Sequence, residues 1–385
     1  MKFEFATANR IVFGAGVARE AGKLARSLGS RALLVTGSNP QRAAPILHAL
    51  TDAGVSANVF PVAHEPSIDL TEAATAQARA EKCDVIIGYG GGSALDAAKA
   101  VAALLGNGGS LLDYVEIIGK NKPLARPSLP CLAIPTTSGT GSEVTRNSVL
   151  SSHEHKLKVS LRSPYLLPAI ALVDPLLTHS LPPAITTFTG MDALTQLIEP
   201  WVCQRANPVT DAFCREGIGR VRRSLRVAVQ NGQDASARED MSVASLLGGL
   251  ALTNAGLGAV HGLAGPIGGM FDAPHGALCG LLLPAVIRMN RQALRARAPQ
   301  HPALKRLEEL AWVEDFAAEF SIPPLSSYGV EPGHFSAIAE KALQTSSMKA
   351  NPIQLSKEEL IEILSPPAAS LPGSALPSAP ARPTA

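Results

Sequence analysis

The chain has 385 residues, 46% of them apolar and 17% charged, which is long and apolar enough for two packed cores and excludes a chain that is disordered throughout. Its 34 basic and 32 acidic residues leave a net charge of +2 with no long basic block, which argues against a nucleic-acid partner. Charges in Met1-Lys2-Phe3-Glu4-Phe5 interrupt the apolar run a signal peptide needs, and the most apolar late stretch, Gly276 to Ile287, is shorter than the roughly 20 residues that span a bilayer. A soluble, cytoplasmic protein with no membrane partner is therefore expected.

Taken in chain order, Arg31–Thr36 reads as a buried strand, followed by a helix from about Gln41 to Ala53. Ala57–Pro61 is a strand, Asp69 to Glu81 a helix, Asp84–Gly88 a strand, Ser93 to Leu105 a helix, and Cys131–Pro135 a further strand. This alternation predicts a parallel sheet covered on both faces, with ligands beyond the carboxyl ends of its strands. After about Leu181 the β signal fades. Thr186 to Val202, Thr210 to Asn231, Ser236 to Leu252, Ala259 to Met270, Leu304 to Phe320 and Pro332 to Gln344 read as helices, with Gly276 to Ile287 as a buried one. Ser356-Lys-Glu-Glu359 is a capping box opening a last helix through Leu364. The expected organisation is an α/β domain over 1–180, an all-α domain over 181–364, and a disordered Pro/Ala-rich tail over 365–385.

Two loops carry chemistry. Gly88-Tyr-Gly-Gly-Gly-Ser-Ala-Leu-Asp-Ala-Ala-Lys99 follows a strand and opens a helix, where glycines admit a phosphate and free N–H groups meet it. Pro135-Thr-Thr-Ser-Gly-Thr-Gly-Ser-Glu-Val-Thr145 places six hydroxyl side chains in eleven residues, a donor-rich loop suited to phosphate and ribose oxygens. Either alone could be an ordinary turn. Asp96 and Lys99, three apart on the following helix, read as a structural ion pair. His153 and His155 read as a polar turn rather than a metal site. The five cysteines, Cys83, Cys131, Cys203, Cys214 and Cys279, form no CxxC pair and read as buried reduced thiols rather than a zinc site.

Together the two loops resemble the GGGSxxDxxK and PTTxGTGSE signatures of the iron-dependent (group III) alcohol dehydrogenase family. Ile11-Val-Phe-Gly14, Leu172-Val-Asp-Pro175, Gly190-Met-Asp-Ala-Leu194 and Asn351-Pro352 match it as well, in the family's order, so the resemblance runs from Phe3 to about Leu364. It implies an α/β N-terminal dinucleotide-binding domain over 1–180 followed by an all-α metal and substrate domain over 181–364. It implies that Gly91, Gly92 and Ser93 hold the pyrophosphate of NAD(P), that Thr136, Thr137 and Thr140 line its adenine and ribose side, and that Lys158 touches the nicotinamide ribose. NAD-preferring members resemble one another in carrying Asp after the first strand. Here Gly37, Ser38 and Asn39 follow it, with Arg42 nearby. No carboxylate repels a 2′-phosphate, so NADP is expected to be accepted, and its preference over NAD is an open alternative.

The resemblance also implies Fe²⁺ or Zn²⁺ held by one Asp and three His. Asp192, His261 and His275 match three of these positions, but the fourth, one helical turn after Asp192, is Gln196, a neutral and weaker donor. Members often carry another His four residues after His261. Here Gly265 stands there, so the proton path or the pocket size must differ. An Asn expected just before Pro66 is also missing, with His64-Glu65 in its place. The expected activity is hydride transfer between NAD(P) and a small alcohol or aldehyde, with Asp192, His261 and His275 catalytic through the metal, in a homodimer. The alternatives are a metal-free, non-catalytic cofactor-binding homologue and a maleylacetate reductase-like enzyme. A lyase of the dehydroquinate synthase type would need a Lys/Arg cluster that the apolar segment around His261 lacks.

Overall fold

The structure is a computed structural model and describes residues 2–152 and 154–365. His153, and all of the tail expected over 365–385 except Ser365, lie outside the described residues.

The first half builds eight strands: β1 Arg10–Phe13, β2 Arg31–Thr36, β3 Ser56–Pro61, β4 Val85–Gly90, β5 Cys131–Pro135, β6 Asn147–Ser152, β7 Leu157–Arg162 and β8 Ile170–Val173. Six form one parallel sheet in the order β1-β8-β5-β4-β2-β3. Alternate strand residues enter different cores. Leu34, Ile87, Leu132 and Leu172 pack on one face, and Leu33, Val35, Ile86 and Cys131 on the other. Burial on both faces is why these strands read as continuous apolar runs. The intervening helices are α1 Ala21–Arg26, α2 Ala44–Asp52, α3 Ile68–Ala80, α4 Gly92–Asn107 and α5 Leu111–Tyr114.

The chain moves from β2 outward to β3, then crosses back to place β4 on the other side of β2. That reversal opens a crevice at the carboxyl ends of β2 and β4, where open α/β sheets take ligands. The register pairs Thr36 with Tyr89 and Gly90 with Pro135, so Gly37, Gly91 and Thr136 emerge side by side.

Four strands were not foreseen. β1 and β8 pair with each other, so the Ile11–Gly14 and Leu172–Pro175 motifs lie together. Asp174 accepts from the Gly16 and Ala18 N–H groups, both at 3.0 Å. β6 and β7 form an antiparallel hairpin. β6 hides from pattern reading because its inward positions are Ser148, Leu150 and Ser152 rather than an apolar row.

Among the described residues only helices follow β8: α6 Pro183–Val202, α7 Pro208–Gln230, α8 Ala235–Asn254, α9 Ala259–Phe271, α10 His275–Arg297, α11 Pro302–Glu308, α12 Val313–Ala318, α13 Phe335–Leu343, α14 Ser346–Ala350 and α15 Lys357–Leu364. The single helix expected over Leu304–Phe320 is broken into α11 and α12. Leu310, Val313 and Phe316 are all buried at a spacing of three, which a tighter winding serves better than a straight α-helix. The capping box at Ser356 forms as expected, with the Glu359 N–H donating to Ser356 Oγ at 3.2 Å. No single helix among the described residues is long and apolar enough to cross a membrane.

Candidate active site

The glycine loop and the threonine loop meet at the sheet crevice. Thr136 N–H donates to the Gly90 carbonyl at 2.9 Å. A Cβ added at Gly91 would lie 3.3 Å from Thr137, and one at Gly92 only 2.7 Å from Thr140. Glycine is thus required for the loops to touch, and the first turn of α4 opens between them with Ser93 partly exposed. Gly37 faces open space, and its N–H nitrogen would be 3.3 Å from a Cβ added at Gly90. Ser38 is exposed, and Asn39 accepts from the Gln41 N–H at 3.1 Å, capping its own turn. Arg42 is exposed and donates to Ser180 Oγ at 2.5 Å.

Lys99 is fully buried and ties the threonine loop to α4. It pairs with Asp96 at 3.0 Å and donates to the Ser142 carbonyl and Thr145 Oγ1 at 3.0 and 2.9 Å. The ion pair is structural, as its helical spacing indicated. Glu143 of the same loop is also buried, and burial pushes its carboxyl up to about 7, against smaller opposing effects of its backbone and Lys99. A raised carboxyl stabilises the fold fully below its ordinary value and loses that contribution as pH rises through about 7. Between about pH 4 and pH 9 the wild type is expected to lose about 3 kcal/mol through this group. Urea titrations of Glu143→Gln across that range should show the loss removed.

Lys158, on β7, is not a solvated surface lysine. Its side chain is 8% exposed, and Nζ pairs with Glu65 Oε1 at 2.5 Å. It presses against α9, where a Cβ at Gly268 would come 2.6 Å from Nζ. Glu65 stands where the expected Asn is missing, so the hairpin is held to the turn before α3 by charge. His155 bonds locally, Nδ1 to Ser152 Oγ at 2.9 Å.

Asp192 on α6, His261 on α9 and His275 at the start of α10 converge in the helical half. Asp192 Oδ1 lies 3.4 Å from His261 Nε2 and 3.8 Å from His275 Nε2. It is buried without a hydrogen-bond partner among the described residues, a costly state for a carboxylate oxygen. Two imidazole nitrogens and one carboxylate oxygen form a donor set that fits a divalent metal. Burial works against ionising Asp192, but the two rings outweigh it and hold its carboxyl below the usual range. Burial likewise opposes charge on His261, but Cys279, Glu199 and Asp192 together hold this ring well above its ordinary value. His275 is pushed down to about 4, first by burial and then by His261 and Lys158. His275 is thus held neutral, with its Nε2 free to meet a cation.

Two residues missed in the sequence complete this site. Glu199, two helical turns from Asp192 on the same face of α6, takes His261 Nδ1 at 2.6 Å and the Val260 N–H at 2.7 Å. It fixes the ring so that Nε2 faces Asp192. Asn351 accepts the Ala259 N–H at 3.1 Å, so Glu199 and Asn351 together cap the helix that carries His261. Cys279, one turn after His275, is a free buried thiol as read, but it stands beside both rings. Its Sγ lies 3.7 Å from His275 Nε2 and 3.9 Å from His261 Nε2. Helical spacings of seven and four were the available signals. Gln196 is buried with Oε1 unpartnered, and a Cβ added at Gly248 of α8 would lie 3.7 Å from that oxygen. Gly265, one turn after His261, faces open space.

A parallel-sheet nucleotide crevice beside a two-His, one-carboxylate cluster on helices defines a metal-assisted nicotinamide dehydrogenase. Residues 8–175 match the iron-containing alcohol dehydrogenase family, and residues 186–367 match the C-terminal part of the Fe-containing alcohol dehydrogenase family. The chain belongs to this family and is an NAD(P)-dependent alcohol dehydrogenase acting between alcohol and aldehyde. It is 40% identical over 329 residues to long-chain-alcohol dehydrogenase 1 of Geobacillus thermodenitrificans, covering 81% of this chain and 82% of that one. It superposes with a TM-score of 0.87 on a crystal structure of 1,3-propanediol oxidoreductase at 34% identity, covering 94% and 99% of the two chains. Sulfoacetaldehyde reductase from Bifidobacterium kashiwanohense, solved with NAD⁺, is similar at a TM-score of 0.84 and 28% identity, covering 94% and 98%. These similarities favour the dehydrogenase over the non-catalytic and maleylacetate reductase-like alternatives.

Proposed function

We propose that Asp192, His261 and His275 hold a divalent metal and that the crevice between Gly37, Gly91, Gly92, Ser93, Thr136, Thr137 and Thr140 holds NAD(P). The convergence of Asp192 Oδ1 with both Nε2 atoms at 3.4 and 3.8 Å carries this reading. When bound, the cation polarises the alcohol or aldehyde oxygen, and the nicotinamide supplies or accepts hydride. Glu199 holds the His261 Nδ1 proton and leaves Nε2 as donor. The start of α4 receives the pyrophosphate. Lys158, steadied by Glu65, reaches the nicotinamide ribose beside α9. The open space at Gly265 admits substrate next to His261, and a small neutral alcohol or aldehyde suits the apolar wall of α9. A cytoplasmic homodimer is part of this reading.

Aldehyde reduction by chelator-stripped protein, with Fe²⁺ or Zn²⁺ restored anaerobically, tests the metal; turnover without metal uptake would sink the reading. The cofactor assignment rests on Gly37. NADP is accepted because no carboxylate faces its 2′-phosphate, and the open space at Gly37 leaves room for one. Gly37→Asp is therefore expected to raise the KM for NADPH by at least about 10-fold while changing that for NADH by less. Steady-state rates with both cofactors check this, and equal effects on both would reject the placement.

A further inference from the structure

We infer that Cys279 is the fourth metal ligand of this chain, taking over the place that Gln196 leaves weak, and that it turns the site toward zinc. The inference rests on the metal reading above and concerns which atoms complete the set.

Asp192, His261, His275 and Cys279 each present one ligand atom, and all four atoms lie within 4.8 Å of one another. Bonds of about 2.0–2.1 Å to nitrogen or oxygen and about 2.3 Å to sulfur, arranged tetrahedrally, put N and O donors about 3.4 Å apart and N and S donors about 3.6 Å apart. The Asp192 oxygen lies 3.4 and 3.8 Å from the two nitrogens, and the Cys279 sulfur lies 3.7 and 3.9 Å from the same two. Four edges of one tetrahedron are therefore in place before any ion arrives, and the alcohol or aldehyde oxygen would join as a fifth donor. A thiol packed there only as a small apolar group would not need its sulfur equidistant from two imidazole nitrogens.

The helix geometry supplies the reason. His275 opens α10, and Cys279 follows one turn later on the same face. On α6, the residue one turn after Asp192 is Gln196, neutral, with its oxygen beside the backbone of α8. Losing an imidazole from α6 is thus offset by gaining a sulfur from α10. The thiol gives up its proton to water as the metal binds. The resulting thiolate and the Asp192 carboxylate neutralise a dication in a buried site, which a Gln carbonyl could not do. Thiolate is a soft ligand that favours zinc over a hard-ligand ferrous site.

The test is the absorption spectrum of full-length protein stripped of metal and loaded with Co²⁺. A thiolate ligand produces an intense near-ultraviolet sulfur-to-cobalt charge-transfer band, which Asp, His and Gln do not. The band is expected in the wild type and absent in Cys279→Ser. The other four cysteines belong to no such cluster among the described residues, so they cannot supply it. Zinc affinity, measured by chelator competition, is expected to fall at least about 10-fold in Cys279→Ser. It should recover in Cys279→Ser/Gln196→His, where an imidazole returns to α6. Cobalt bound by the wild type without the band would overturn the inference and leave the metal reading standing. No cobalt bound at all would overturn both. The wild-type spectrum decides the matter even if a variant does not fold.

Discussion

His261→Ala is expected to lower kcat/KM for aldehyde reduction about 10³-fold and to leave the protein without metal. Polarisation of a carbonyl by a bound cation is worth several kcal/mol, and about 4 kcal/mol corresponds to three orders of magnitude in rate. His261 is the ligand to remove because its position is the most heavily constrained. Its ring is held by Glu199 at 2.6 Å, its helix start is capped by Glu199 and Asn351, and its Nε2 faces both Asp192 and Cys279. The crevice proposed for the cofactor is built from the glycine and threonine loops, and this ring is not among its residues. NADPH affinity, read from nicotinamide fluorescence, should therefore stay within about twofold, because mutations at separate sites act independently. Loss of cofactor binding together with turnover would mean that the variant is misfolded. Retained turnover in metal-free variant would mean that hydride transfer does not depend on this cluster.

Gly141→Ala is expected to destabilise the protein by about 2–5 kcal/mol and to raise the KM for cofactor. Gly141 has φ +59°, a left-handed conformation that costs other residues about 1–2 kcal/mol. A Cβ there would also lie 2.5 Å from Gly249 Cα and 2.8 Å from the Ser245 carbonyl, both backbone atoms of α8 that cannot swing away. Overpacking of this kind typically adds about 1–3 kcal/mol. The contact is reciprocal, since a Cβ on Gly249 would meet the Gly141 carbonyl at 2.4 Å. This pair of glycines lets the cofactor loop rest directly on the helical half. The loop moves if they cannot meet, and Thr140 moves with it. Chemical denaturation and cofactor KM measured on the same preparation test both halves of this expectation. A variant of wild-type stability would show that the loop relaxes freely.

Much of the fold was legible because its signals are local. Arg31–Thr36 and Cys131–Pro135 read as buried strands and have those bounds. Both runs are apolar and buried along nearly their whole length. Helices α6 to α9 lie close to the ranges read for them, whereas α10 runs on to Arg297, beyond the apolar stretch ending at Ile287 that announced it. The β6–β7 hairpin was not legible. Its inward Ser148 is satisfied by a distant group, with Oγ donating to the Asp96 carbonyl at 2.8 Å, and the Asp96 carboxylate accepts the Val149 N–H at 2.9 Å. A buried serine looks polar in sequence, and only its tertiary partner makes it an interior residue. The break between α11 and α12 was hidden for a similar reason, because packing rather than a Gly or Pro bends the chain there.

The candidate site divides in the same way. By itself the sequence determined the fold class and the two loops of the crevice, which depend on residue type within short motifs. Its resemblance to the family pointed to Asp192, His261 and His275 as one set. Only the tertiary structure decided what stands behind and between them. Glu199 is an ordinary helical carboxylate until α9 brings His261 to it. Glu65 and Lys158 are 93 residues apart until the hairpin folds back on the turn before α3. Cys279 is one free cysteine among five until α6, α9 and α10 bring its sulfur to two imidazole nitrogens. Backbone conformation depends on neighbours in the chain, whereas the chemistry of a buried side chain depends on neighbours in space, and those arrive only when the helices pack.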